Sequence, residues 1–132
     1  MKGYTTIEQS KKLAEFGLNP ETADMCYFID YKESNKFGIN KYSVQIDTYG
    51  FLVHEPDNIP CWSLAALLEL MPNIKTEHGI IRPKSVKENS KQFAYRYYYE
   101  TLYYTDMCRT PIEAAYNMTV WLLENGYIKK GE

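Results

Sequence analysis

The stretch Tyr95 to Tyr104 reads YRYYYETLYY and holds six of the chain's thirteen tyrosines. A phenol combines an apolar ring with a polar tip, so tyrosine suits a half-buried strand and a binding surface alike. Along an extended chain successive side chains alternate between two faces. Phe93, Tyr95, Tyr97 and Tyr99 then share one face, expected to point inward, while Ala94, Arg96, Tyr98 and Glu100 share the other. Beyond them, either one strand runs to about Asp106 or a tight hairpin bends near Glu100-Thr101, two weak turn formers. The segment predicts a sheet with an aromatic face in either case.

The flanks supply what packs on that sheet. Thr110-Pro111-Ile112-Glu113 combines an N-cap, a proline at the first helical position and a glutamate at the third. Ile112, Ala115, Tyr116, Thr119, Leu122 and Leu123 follow as one apolar stripe, and Asn125-Gly126 stops the helix. Earlier, Ile59 to Pro72 (IPCWSLAALLELMP) is apolar nearly all round, with Pro60 in the first turn and Pro72 as the stop; it predicts a buried central helix. Thr5-x-x-Glu8 and Thr6-x-x-Gln9 both fit a capping box, opening a first helix that ends near Gly17.

Between these helices lie the strand candidates. Met25 to Tyr31 is one, broken by Glu33-Ser34-Asn35-Lys36; Lys41 to Asp47 alternates apolar and polar residues and is a second. Tyr49-Gly50 turns that strand towards Phe51-Leu52-Val53, as in a hairpin or meander. His78-Gly79 and Glu88-Asn89-Ser90 read as turns between short extended pieces. The expected fold is a single α+β domain over residues 1–132, an antiparallel sheet of roughly four to six strands packed against two or three helices.

Composition sets outer limits. A chain of 132 residues fits one core, and 45% hydrophobic with 24% charged residues is ordinary for a globular domain. Net charge is -2, unevenly spread. Asp47 to Ile74 carries Asp47, Glu55, Asp57 and Glu69 without a lysine or arginine. Lys75 to Glu100 carries Lys75, Arg82, Lys84, Lys87, Lys91 and Arg96 against Glu77, Glu88 and Glu100. That basic excess is a candidate for phosphate contact, and the segment from Arg82 to Tyr104 for a nucleic-acid surface. Cys26, Cys61 and Cys108 form no C-x-x-C pair, and no run approaches a membrane span. Free thiols without an apolar leader lead to the expectation of a cytoplasmic chain with no membrane partner.

Three segments together resemble a known group: Thr6 to Met25 (TIEQSKKLAEFGLNPETADM), Ile59 to Pro72, and Thr110 to Asn125 (TPIEAAYNMTVWLLEN). They are similar to small uncharacterised proteins carried on prophages and mobile elements of anaerobic gut bacteria. The resemblance covers the helices and their flanks and leaves out the tyrosine-rich middle. It implies an accessory product of a mobile element, and it assigns no activity and no catalytic residue.

The residues themselves give few routes to chemistry. Cys61 near a helix N-terminus, with His54 or His78 as base, is the candidate nucleophile, against plain packing of a small apolar thiol. His54-Glu55-x-Asp57 clusters metal-ligand types, yet the chain has two histidines and no H-x-x-x-H spacing, so no metal is expected. Glu69 on an apolar helix is either an acid with a raised pKa or the solvent-facing edge, and the edge is the simpler reading. Neither a P-loop nor G-x-G-x-x-G occurs, and no cofactor is expected. Binding remains. Lys91, Arg96, Tyr98 and Tyr104 are the candidate binding residues, a mixed aromatic and basic set suited to a protein partner or to stacking on single-stranded bases. An unblunted sheet edge would also allow a homodimer. The expectation is a non-enzymatic protein-binding module, with a nucleic-acid-binding module as the alternative and a small hydrolase or transferase behind both.

Overall fold

Two helix starts, both set by local chemistry, frame the architecture. A computed structural model describes residues 3–48, 50, 52–87 and 95–131. Lys91, Phe93 and the expected turn at Glu88-Asn89-Ser90 lie outside the described residues, as do Tyr49 and Phe51. Helix α1 (Ile7–Glu15) starts at Thr6, whose side chain accepts from Gln9 N–H while the Gln9 side chain accepts from Thr6 N–H. Of the two overlapping capping boxes, the second is the one used. Helix α4 (Pro111–Glu124) begins at Thr110 and buries Ile112, Ala114, Ala115, Met118, Thr119, Leu122 and Leu123.

The chain is a small α+β domain. After α1 come β1 (Met25–Ile29), α2 (Tyr31–Phe37), β2 (Tyr42–Ile46), β3 (Ile59–Cys61), α3 (Leu64–Leu70), β4 (Ile74–Thr76), β5 (Gly79–Ile81), β6 (Lys84–Lys87), β7 (Tyr95–Tyr99) and β8 (Tyr103–Tyr104), with α4 last. The described strands form three antiparallel sheets, ordered β2-β1-β3, β4-β5 and β6-β7-β8, rather than one. The division has a local cause at β3. Pro60 lacks an N–H and sits on an edge strand, where that lack costs least. Beyond Cys61 the chain pairs with the N-terminal arm instead, through Thr5 N–H to Trp62 O and Leu64 N–H to Gly3 O.

Two further expectations change. The central helix does not start at Pro60: Ile59–Cys61 are drawn into a strand by Met25–Tyr27, and Ser63 caps α3 by accepting from Ala66 N–H. Asp24 fixes that cap, accepting from both Ser63 N–H and the Ser63 hydroxyl. Strand β1 ends at Ile29, and the expected break is itself a helix. Asp30 caps α2 by accepting from Glu33 N–H, and Gly38 closes it at φ 70°, a conformation glycine adopts without strain.

The main core joins α1, α3, α4 and the tyrosine sheet. Leu13, Trp62, Leu67, Met118 and Leu122 are fully buried there with Tyr99. A smaller cluster of Tyr27, Ile59 and Cys61 lies under Tyr4, Ile7, Tyr42 and Val44. Among the described residues no helix is long and apolar enough to cross a membrane.

Candidate functional site

The hairpin alternative holds in the tyrosine segment. β7 turns back into β8 with Thr101 at φ 68°, a left-handed conformation unusual for a β-branched residue. This turn decides which tyrosines meet. Cross-strand partners share a face, and Tyr99 pairs with Tyr103 while Tyr98 pairs with Tyr104.

The inward face follows the expectation. Tyr99 is fully buried and its hydroxyl donates to Pro72 O at 2.7 Å. Tyr103 stacks on Trp121 of α4, centroids 4.5 Å apart and planes 7° from parallel. Burial pushes the Tyr99 phenol up to about 12 and raises Tyr97 and Tyr103 as well.

The outward face is built from Arg96 and Tyr98 on β7, Tyr104 on β8, and Lys84 and Val86 on β6. Lys84 lies opposite Tyr98, and Val86 opposite Arg96. The Tyr98 and Tyr104 rings stack at 5.0 Å, only 3° from parallel, and the Arg96 guanidinium stands 6.0 Å from the Tyr104 centroid. Tyr104 is 48% exposed and Val86 38%. Lys84 Nζ pairs with Glu100 Oε2 at 3.4 Å. This pair borders a cleft of about 320 Å³ lined also by Ile80, Ile81 and Arg82. Arg96 Nε is buried and has no hydrogen-bond partner among the described residues. A second cleft, about 250 Å³, is lined mainly from the other face, by Ser85, Lys87, Tyr95 and Tyr97 with Leu64 and Pro111. A buried donor left unpaired costs about 1–3 kcal/mol.

The structure thus brings together three of the four candidate binding residues, Arg96, Tyr98 and Tyr104; Lys91 lies outside the described residues. The basic residues do not form one face. Lys84 and Arg96 point outward, whereas Lys87 lies opposite Tyr95 on the other face, its Nζ 5.8 Å from that ring.

The catalytic candidates each engage different neighbours. Cys61 is fully buried, with its thiol donating to Thr5 O and accepting from the Thr5 hydroxyl. Burial raises its pKa, opposite to the lowering that a helix N-terminus would give. His54 Nε2 lies 3.6 Å from Glu21, His78 Nε2 lies 3.4 Å from Glu77, and Glu69 is solvent-facing, as the simpler reading had it. Among the described residues no three His, Cys, Asp or Glu side chains are grouped to hold a metal ion.

Sequence reasoning missed an acidic cleft of about 500 Å³ lined by Glu21, Asp24, Asp47 and His54. Of these, Asp47 and His54 fall in the run without lysine or arginine, while Glu21 and Asp24 precede β1. Two of its carboxylates are engaged in holding the fold: Asp24 accepts from Ser63, and Asp47 accepts from Leu52 and Val53 N–H.

Two outcomes follow from the buried acids. Iodoacetamide at neutral pH should leave all three buried thiols unmodified in the folded chain and label them in denaturant. Rapid labelling of Cys61 in the folded state would restore it as a nucleophile. Burial, reinforced by Asp47, also lifts Cys26 from 9.0 to about 11, and burial lifts Tyr99 from 10.0 to about 12. Folding favours the neutral forms, so their contribution is complete below pH 9 and is lost as pH rises through these folded values. The melting temperature should therefore fall between pH 9 and 12; a flat profile across that window contradicts the burial.

No protein-family model, no curated protein and no solved structure matches this chain.

Proposed function

We propose that this chain is a non-enzymatic protein-binding module that engages its partner with the outward face of the tyrosine sheet. The observation that carries this reading is the stacked pair Tyr98–Tyr104 with Arg96 beside it, flanked by exposed Val86. Tyrosine and arginine concentrate binding energy at protein interfaces. The stacked phenols are ordered before binding, so little side-chain entropy remains to be lost.

The similarity of Thr6–Met25, Ile59–Pro72 and Thr110–Asn125 to small prophage proteins supports a biological setting. In it, the chain is an accessory product of a mobile element that modulates a host factor. The alternative, a nucleic-acid-binding module, draws on Arg96, the half-buried Tyr98 ring and the exposed Tyr104 ring. The split of Lys84 and Lys87 between faces, and the pairing of Lys84 with Glu100, weigh against a continuous phosphate track.

Affinity capture of the tagged chain from a lysate of its own host, with and without nuclease, tests the reading. A stoichiometric protein that survives nuclease supports it. Loss of all captured material after nuclease, together with binding that weakens steeply as salt rises, would replace it with the nucleic-acid reading.

A further inference from the structure

The sheet β2-β1-β3 ends at β2, which pairs with β1 on one side only. The pairing fixes which backbone groups turn outward. Asp47 N–H donates to Asp24 O, and Asp30 N–H donates to Lys41 O. Residues 41, 43, 45 and 47 thus face β1, while Tyr42, Val44 and Ile46 turn their N–H and C=O away from it. Among the described residues no hydrogen bond reaches those outward groups. Soluble proteins usually blunt such an edge with proline, a bulge or an inward charge. The strand, YSVQI, carries no proline or charge. Ile46, at 71%, is the most exposed of the large apolar side chains described.

The edge is complementary to itself. Laid antiparallel on a second copy about Val44, Lys41 faces Asp47 of the other copy, Tyr42 faces Ile46, Ser43 faces Gln45, and Val44 faces its own equivalent. This alignment sets every outward-bonding residue opposite another, which completes about six backbone hydrogen bonds; a slip of two residues leaves about four. Tyr42 and Val44 form one wall of an apolar groove of about 480 Å³, shared with Tyr4, Ile7 and Tyr27. The second copy's Ile46 falls beside Tyr42 on that face, an aromatic and β-branched pair of the kind that stabilises sheets.

We propose that the chain self-associates through β2, forming a two-fold dimer in which the two three-stranded sheets become one. The occupant of this edge is a second copy of the chain, selected by the register about Val44 and by the meeting of exposed Ile46 with Tyr42. The surface belongs to a different sheet from Tyr98 and Tyr104, so the proposal stands or falls independently of the tyrosine face.

Sedimentation equilibrium of the full chain over a wide concentration range is the test. A reversible monomer–dimer equilibrium is expected. Ile46→Lys should weaken it at least tenfold, with the melting temperature unchanged because the side chain is exposed, and Tyr104→Ala should leave it unaltered. Ser43→Cys combined with Gln45→Cys should yield a covalent dimer on diamide oxidation, because these positions face each other closely in the stated register. A chain monomeric at every concentration would leave the edge to a strand of some other protein and overturn the proposal. A dimer indifferent to Ile46→Lys, or one that fails to cross-link, would also overturn it.

Discussion

Trp62→Ala is expected to destabilise the fold by about 3–5 kcal/mol, the range for removing a fully buried large aromatic side chain. Trp62 has no exposed surface, and its indole N–H donates to the Thr22 hydroxyl at 2.9 Å. That hydroxyl in turn donates to Asn19 O at 2.6 Å, tying the turn after α1 to the core. The Trp62 backbone exchanges hydrogen bonds with Thr5, accepting from its N–H and donating to its hydroxyl. Trp62 therefore holds the N-terminal arm through its backbone, and the Pro20–Thr22 turn and the interior of α3 and α4 through its side chain. For a domain whose total stability is about 5–15 kcal/mol, the loss removes a large share. The melting temperature should drop by roughly 10 °C or more. Trp62→Phe keeps most of the volume and loses the hydrogen bond, so a cost of about 1–3 kcal/mol is expected. Equal melting temperatures for wild type and Trp62→Ala in thermal denaturation would contradict this packing.

The second large effect concerns binding. Tyr98→Ala is expected to weaken partner affinity by about 30-fold or more, corresponding to the 2 kcal/mol or more of an interface hot spot. The substitution removes one ring of the stack and leaves Tyr104 without its parallel neighbour. Arg96→Ala should reduce affinity comparably by removing the cation beside the Tyr104 ring. Neither side chain belongs to the main core, so circular dichroism should stay close to wild type. Titration calorimetry with the captured partner reads both. Unchanged affinity for both variants would mean that the outward tyrosines only cover the sheet.

The parts of this molecule legible in its sequence are those decided within a few residues. The Thr6 capping box, the Thr110-Pro111 start of α4 and the Asn125-Gly126 stop all stand where their side chains dictate. The period of two in the tyrosine segment predicted a buried Tyr99 and an outward Tyr98 for the same reason. Non-local pairing hid the rest. Pro60 reads as a helix start until Met25–Tyr27 claims Ile59–Cys61 as an edge strand, a partner more than thirty residues away. Seven-residue α2 is too short to show a helical period, and only Asp30 and Gly38 announced it. The Glu100-Thr101 turn has no turn-forming residue at its left-handed position, so nothing local marked Tyr98 and Tyr104 as neighbours. The stacked pair at the centre of the candidate site was therefore visible as a composition, and its geometry required the hairpin.

The most direct measurement is a side-by-side, nuclease-treated affinity capture with the wild-type chain and Tyr104→Ala, a change on a half-exposed ring that leaves the core intact. The predicted result is one stoichiometric protein retained by wild type and lost from the variant. A protein retained equally by both, or capture that vanishes with nuclease, would contradict a protein-binding role for the tyrosine face.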